Sequence, residues 1–302
     1  MTKTLIALAL ASVCALPAHA IDFGKLLSTE NINKAVELAK NTADANKELT
    51  PEQEAAIGDE AAAKLLGAKP LVNNSNLQRY VNQVGMWLAL QSGKPALPWH
   101  FGVIEDPTVN SFATPGGNIV ITRGLWDRIS NEAELAAVLS HEITHVVKQH
   151  HLRAMKGEAS RKALANLADL AVSAKGGGDK QKLIGNLGKG ASEIAVRGLD
   201  KGDEYEADVF AMVLLARAGY NPYAMVSVLQ MLERFNANSG GLEVFNTHSD
   251  PGARQDVIEA SVGEQLEPYA GGVQQTQRFI AVKQGKSPGG TPSKGQGKKS
   301  GK

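Results

Sequence analysis

Cysteine is almost absent from this chain. The one cysteine among 302 residues, Cys14, lies in the first twenty positions, which carry the features of a removable leader. A chain without cysteine can form no disulfide bond and can offer no thiolate to a metal ion. We therefore expect any metal site in the remaining chain to consist of histidine, aspartate and glutamate side chains.

An excess of charge of either sign is also missing. The chain has 32 lysine and arginine residues against 31 aspartate and glutamate residues, and its hydrophobic content is 43%. This neutral balance gives no support for nucleic-acid binding. The hydrophobic content is that of an ordinary globular protein, enough for one large domain or two small ones.

The apolar run at residues 5–16 is too short to span a bilayer. Lys3 precedes it, and the A-H-A sequence at residues 18–20 follows it as a signal-peptidase site. This order predicts a signal peptide over residues 1–20 and a periplasmic mature chain without a transmembrane segment. An uncleaved N-terminal anchor is the alternative interpretation of the same pattern.

Cys14 raises a second alternative, a mature protein anchored by a lipid on this cysteine. It is the less favoured hypothesis, because Val13 is large where a small residue normally precedes a lipidated cysteine.

The most informative stretch is residues 141–145, which read H-E-I-T-H. Asn131 is a good helix cap upstream of it, and the intervening residues are mostly strong helix formers. Positions four apart lie on one face of a helix, so His141 and His145 can reach the same ion. Glu142 lies one step round the helix, where it can hold a water molecule. This is the pattern of a zinc hydrolase.

Chance also produces this motif, so the bare match is only a hypothesis. Its apolar surroundings strengthen it, because two buried imidazoles need polar partners and a metal ion would provide one. His150 and His151, just beyond, are interpreted as a solvated helix end without a metal role.

Other patterns predict an α+β fold that is predominantly helical, with a small antiparallel sheet beside the H-E-x-x-H helix. The predicted helices are residues 50–66, 76–91, 202–218, 223–235 and 253–262, and the predicted strands are residues 99–104, 109–114 and 118–122.

The domain organisation follows from composition. Residues 21–49 are helix-compatible and form an N-terminal extension, and residues 50–282 form the main domain. Residues 158–198 are interpreted as two helices around a glycine-rich turn. Residues 283–302 carry six lysines and no acid, which predicts a disordered Lys- and Gly-rich tail.

The strand signal just before the H-E-x-x-H helix bears on substrate binding. An edge strand has unpaired N–H and C=O groups, to which an extended peptide can add as a further strand. The candidate residues are Ser111, Phe112, Ala113 and Thr114.

Four segments of the chain together resemble the gluzincin metallopeptidases related to HtpX and the CaaX prenyl proteases. The segments are S-F-A-T-P-G-G at residues 111–117, H-E-I-T-H at 141–145, E-Y-E-A-D at 204–208, and Thr247-His248 with Arg254. The likeness covers most of residues 50–262. It is greatest to secreted, periplasmic, single-domain members associated with outer-membrane quality control.

The resemblance implies a zincin-like fold and one Zn²⁺ per chain, held by His141, His145 and Glu204. It makes Glu142 the catalytic base and His248 a second catalytic residue, which stabilises the oxyanion or caps the metal at rest. Glu206 is a rival to Glu204, but it does not stand four residues before an aspartate.

Two further residues follow from the resemblance. Asp208 is expected to orient a metal ligand, and Arg254 matches the family's arginine six residues after the histidine. One departure from the family pattern is Ser249, where proline commonly follows that histidine.

The functional hypothesis is a zinc-dependent endopeptidase that cleaves unfolded or misassembled proteins in the bacterial cell envelope. A peripheral association with the outer membrane is part of this expectation. The alternative is a periplasmic chaperone or assembly factor with a latent or structural zinc site. A zinc hydrolase acting on something other than peptide is a third, weaker hypothesis.

Overall fold

The computed structural model describes residues 51–154, 199–239 and 248–286. The predicted signal peptide, the N-terminal extension, the two helices at residues 158–198 and most of the Lys-rich tail lie outside this part of the chain.

The described residues form eight α-helices, one 3-10 turn and three strands. In chain order they are α1 (Pro51–Ala68), α2 (Ser75–Gln91), β1 (His100–Ile104), β2 (Ser111–Ala113), β3 (Asn118–Thr122), α3 (Arg123–Arg128), α4 (Glu132–Val147), α5 (Lys201–Ala218), α6 (Ala224–Ser239), α7 (Pro251–Val262), the 3-10 turn (Glu267–Tyr269) and α8 (Thr276–Lys283). None of the described helices is long and apolar enough to cross a bilayer.

The predominantly helical α+β fold predicted from the sequence is confirmed, but the small sheet is mixed. Its strand order is β1-β3-β2. The β2–β3 pair is antiparallel as predicted, whereas β1 pairs with β3 in parallel. The cause is the loop after β1, which crosses the end of β3, where the Thr122 hydroxyl donates to the carbonyl of Thr108 at 2.6 Å. This crossing puts β2 on the opposite edge of β3 from β1.

Helix α4 lies at the centre of the domain and is buried over almost its whole length. It packs against α5, α6, α2 and β2. Every residue from Leu135 to Val146 is buried. A helix that is apolar all round belongs in a core, so the polar groups of the H-E-x-x-H motif are carried into the interior with it.

The start of α4 is fixed by two local features. The Asn131 side chain accepts a hydrogen bond from the Glu134 backbone N–H at 3.0 Å, as the sequence predicted. Glu132 is fully buried and accepts hydrogen bonds from the hydroxyls of Tyr80 at 2.5 Å and Tyr220 at 2.7 Å, and from Arg278.

Helix α1 rests against the turn between β2 and β3 at a glycine. A Cβ atom on Gly58 would lie 1.6 Å from the Pro115 carbonyl oxygen. Because no side chain fits there, the close approach requires glycine. The contact supports the turn that follows the candidate substrate strand.

Two predicted boundaries differ from the structure. Gly67, expected to close the first helix, lies inside α1, which ends at Ala68. Lys283, assigned to the disordered tail from its composition, is the last residue of α8. Its ammonium group donates to the Ile129 carbonyl at 2.6 Å, a tertiary contact that composition cannot reveal.

Candidate metal and catalytic site

Helices α4 and α5 bring three predicted metal ligands to one point. The Nε2 atoms of His141 and His145 are 2.9 Å apart. Glu204, in the first turn of α5, places Oε2 3.7 Å from His141 Nε2 and Oε1 3.5 Å from His145 Nε2. All three side chains are buried, so two helices far apart in the sequence deliver them to the same place.

The surroundings of one carboxylate oxygen at this point indicate whether a cation would fit there. Glu204 Oε1 is fully buried and has no hydrogen-bond partner among the described residues. A buried carboxylate oxygen without a partner costs free energy unless something compensates it. A divalent cation held by Oε1 and the two Nε2 atoms would compensate it, and two imidazoles with one carboxylate are a ligand set of catalytic zinc.

Asp208 and Arg254 lie behind His141. The Nδ1 atom of His141 is 2.9 Å from Asp208 Oδ1, so Nδ1–H donates to the carboxylate and Nε2 faces the ion position. Arg254, in the first turn of α7, donates to both oxygens of Asp208 at 2.7 and 2.6 Å. The structure thus brings together both residues that were expected to support the ligands.

Charge keeps the two carboxylates ionised. Burial by itself raises the pKa of Glu204, but the neighbouring His248, His141 and Arg254 outweigh it and hold the pKa well below its usual range. Burial likewise opposes ionisation of Asp208, and Arg254 and His141 lower its pKa. An ionised Glu204 is the form that can ligate a cation.

Burial lowers the pKa of His145 well below its ordinary value, and the nearby imidazoles of His141, His151, His248 and His150 act in the same direction. The neutral imidazole is the form that binds metals.

Glu142 is held by the strand in front of it. The hydroxyl of Ser111 donates to Glu142 Oε1 at 2.6 Å. Ser111 was predicted only as a substrate-strand residue, and its contact with the carboxylate predicted to be catalytic depends on how β2 packs on α4. No local sequence signal could have indicated it.

His248 lies at the same point, three residues before α7 begins at Pro251. Its Nδ1 atom is 3.0 Å from Glu204 Oε2, and its Nε2 atom is 4.0 Å from Glu142 Oε1. Burial lowers the pKa of His248, but the carboxylates of Glu204 and Glu142 outweigh it and the net shift is upward. It offers a fourth ligand atom within 4.8 Å of those of His141, His145 and Glu204. Thr247, which precedes it, lies outside the described residues.

The candidate substrate strand lies at an edge of the sheet. Phe112 and Ala113 pair with Val120 and Ile119 of β3, and no described strand pairs with the other edge of β2. Thr114 follows the strand, and its N–H donates to the Asn118 carbonyl at 2.9 Å.

A small, mainly apolar cavity lies beside His141. Its apolar walls come from the loop before β2 and from α3, α4 and α6, and its polar rim includes Ser111, His248 and Arg254. The apolar lining residues are Val109, Leu125, Val138, Met225, Val228 and Leu232.

The interpretation of residues 150 and 151 as a solvated helix end is wrong for His150. This histidine is fully buried, and its Nδ1 atom is 2.8 Å from His145 Nδ1. Glu206, the rival third ligand, faces His150 and Lys148 and not the ion position. The sequence around residue 150 is polar, so periodicity alone favours exposure.

Comparison with known proteins agrees with this geometry. The chain is 32% identical over 209 residues to the beta-barrel assembly-enhancing protease of Escherichia coli (strain K12), covering 67% of this chain and 42% of that protein. It is 28% identical over 181 residues to the mitochondrial metalloendopeptidase OMA1 of Schizosaccharomyces pombe, which covers 60% of this chain and 51% of the relative.

The protease HtpX of Legionella pneumophila is 26% identical over 196 residues, 59% of this chain and 65% of that protein. The chain therefore spans less than half of the bacterial assembly-enhancing relative and about half of the mitochondrial one. The model of peptidase family M48 matches residues 75–262. This match covers more than half of the sequence and confirms the resemblance inferred from the motifs. The chain belongs to peptidase family M48.

Proposed function

We propose that this chain is a zinc-dependent endopeptidase that cleaves unfolded or misassembled proteins in the bacterial cell envelope. The observation that carries the proposal is the convergence of two imidazole Nε2 atoms and the unpartnered Glu204 Oε1 next to Glu142. Membership of family M48 supports peptide hydrolysis. The names of the bacterial relatives support an envelope substrate connected with β-barrel assembly.

One Zn²⁺ per chain would be held by His141, His145 and Glu204. When bound, zinc acts as a Lewis acid and lowers the pKa of a water molecule to about 7. Glu142 removes a proton from the attacking water and delivers it to the leaving amine. The Ser111 hydroxyl holds this carboxylate in position. His248, whose Nε2 atom lies 4.0 Å from Glu142 Oε1, would donate to the developing oxyanion or cap the metal at rest.

The substrate would add through its backbone to the edge of β2 that no described strand occupies. Pairing of this kind requires an extended polypeptide and depends mainly on backbone hydrogen bonds, with few contacts to specific side chains. It therefore favours unfolded chains over folded ones as substrates. The cavity beside His141 would accept one apolar side chain, and apolar side chains become exposed when a protein unfolds.

The site of action is proposed to be the periplasm, on the basis of the predicted signal peptide at residues 1–20. A peripheral association with the outer membrane is part of the same proposal.

Replacement of Glu142 by glutamine tests the reaction. Glu142→Gln keeps the size of the side chain but cannot accept the proton, so we expect a loss of at least about 100-fold in the rate of casein cleavage. Zinc content should stay at one ion per chain, because Glu142 is not a ligand. Undiminished cleavage by the variant would contradict the role of Glu142.

The same variant separates the endopeptidase from the chaperone alternative. Suppression of aggregation that is equal in wild type and Glu142→Gln, without any proteolysis in wild type, would favour an assembly factor with a latent zinc site. The specific observation behind that alternative is the position of His248, whose ring lies within reach of the metal ligands.

A further inference from the structure

His150 lies directly behind the metal ligand His145. It is fully buried, and its Nδ1 atom is 2.8 Å from Nδ1 of His145. On its other side, His150 Nε2 is 3.1 Å from Glu206 Oε2 and 3.9 Å from Asp203 Oδ1. A line of contacts therefore runs from His145 through His150 to a carboxylate on α5, the helix that also carries Glu204.

The backbone is arranged to produce this contact. In an uninterrupted helix, a residue five positions after His145 would point about 140° away from it. Instead α4 ends at Val147, and Gln149 adopts a left-handed conformation with φ of 57°. A helical turn then begins again at His150. The break returns the His150 side chain to the side of His145.

A left-handed conformation is strained for a residue with a Cβ atom. The side chain of Gln149 donates to Glu54 Oε1 on α1 at 2.5 Å, a contact that supports the turn. Strain of this kind persists only where the surrounding structure maintains it, and it occurs mainly at functional sites. The residue that this turn positions is His150.

The hydrogen-bonding capacity of each group determines which atom donates and which accepts in the contacts from His145 through His150 to Glu206. An ionised carboxylate can only accept, so His150 Nε2 carries a proton and donates to Glu206. In the neutral ring Nδ1 of His150 is then an acceptor. It follows that His145 Nδ1–H is the donor, which leaves the Nε2 lone pair of His145 facing His141 and Glu204.

We propose that His150 is a positioning residue for the metal centre, which selects the tautomer and ring orientation of His145 and is itself held by Glu206. His141 receives the equivalent support directly from Asp208. The two histidine ligands are thus supported differently, one by a carboxylate and the other by a neutral imidazole that leads to a carboxylate. Partners of this kind typically contribute 10–100-fold to metal affinity. This inference rests on the proposed zinc site.

A separate cation site formed by His150, Asp203 and Glu206 is the competing interpretation, since their ligand atoms lie within 4.8 Å of one another. The carboxylates of Asp203 and Glu206 each already form an ion pair with a cationic side chain. Lys148 Nζ is 2.8 Å from Glu206 Oε1, and Arg153 Nη2 is 2.6 Å from Asp203 Oδ1. Their charge opposes a second cation, which favours the positioning role.

The test is the zinc affinity of the full chain, measured by competition with a zinc-chelating dye. We expect His150→Ala to weaken zinc binding 10–100-fold. His150→Gln should recover most of this loss, because its amide can accept from His145 and donate to Glu206. Glu206 is partly exposed, so Glu206→Ala should fold normally and weaken zinc binding several-fold. The exposed His100 provides the control, and His100→Ala should bind zinc as wild type does.

A second readout separates positioning from loss of structure. In the cobalt-loaded protein, the visible absorption of His150→Ala should differ from that of wild type, while the far-UV circular dichroism stays the same. Zinc affinities of His150→Ala and Glu206→Ala within about threefold of wild type would overturn the inference. A second zinc ion in wild type that His150→Ala loses, with the tighter site unchanged, would also overturn it. Failure of wild type to bind zinc would overturn the proposed function itself.

Discussion

The proposed catalytic carboxylate, that of Glu142, is held in position by a neutral side chain. Glu142 is almost fully buried, and the Ser111 hydroxyl is 2.6 Å from Oε1. Hydrogen bonds to an ionised group are worth roughly twice those between neutral groups. The strand proposed to bind substrate therefore also holds the base, and the two functions are connected by the residue at the start of β2.

Substitution of Ser111 tests this connection. In Ser111→Ala the carboxylate loses its donor and becomes less well oriented, so we expect kcat to fall about tenfold, while KM changes less because the strand backbone is retained. Ser111→Thr keeps the hydroxyl and is the matched control. Steady-state kinetics on an unfolded substrate measure both constants. A fall confined to KM would contradict the orienting role.

At the scale of elements, the start of α4 is anchored by a buried charge. Glu132 accepts hydrogen bonds from Tyr80 on α2, from Tyr220 after α5 and from Arg278 on α8. Burial and the nearby Glu132 carboxylate raise the pKa of both tyrosines well above their ordinary range, so both hydroxyls stay protonated as donors. Three parts of the chain are thereby joined to the helix that carries the H-E-x-x-H motif.

Loss of this charge should destabilise the domain without touching the metal site. Glu132→Gln keeps the shape but presents an NH₂ group to donors, so we expect a decrease of about 2 kcal/mol or more in the free energy of unfolding. Urea unfolding of the zinc-loaded protein measures it. The control is Asp127→Asn, because Asp127 forms an exposed ion pair with Arg123 four residues earlier on α3. This substitution should change the free energy of unfolding by less than about 0.5 kcal/mol. Equal values for the two variants would contradict the anchoring role.

At the scale of the whole molecule, the proposed metal ligands and His248 bring together segments that are distant in sequence. His141 and His145 come from α4, Glu204 comes from α5, and His248 precedes α7. Among the described residues the buried Glu204 Oε1 has no hydrogen-bond partner, and the Nε2 atoms of His141 and His145 face each other at 2.9 Å. A bound cation should therefore stabilise the arrangement of these helices.

Removal of the metal should lower thermal stability. Zinc at about 1,000 times its dissociation constant adds about 4 kcal/mol to the native state. For a domain of this size we expect the Tm to fall on the order of 10 °C after chelation and to recover with added Zn²⁺. Glu204→Gln should lose most of this response. A Tm unaffected by chelation, in protein shown by metal analysis to lose its zinc, would exclude a contribution of the ion to stability.

The sequence alone determined what depends on neighbouring residues. The Asn131 cap, the helix around H-E-x-x-H and the shared face of His141 and His145 follow from rules that act within a few positions. For the same reason the β2–β3 hairpin and most helix boundaries were predictable. The choice of Glu204 over Glu206 came from the family pattern, and the structure agrees, because only Glu204 faces both imidazoles.

Only the tertiary structure decided the contacts between distant segments. The parallel pairing of β1, the donation from Ser111 to Glu142 and the burial of His150 behind His145 each depend on how two elements pack. Residues 150 and 151 are adjacent histidines in a polar stretch, yet the left-handed turn at Gln149 buries one of them completely. Local pattern specifies which elements form and which face of each is apolar. Which polar atoms then meet is set by packing over long sequence separations.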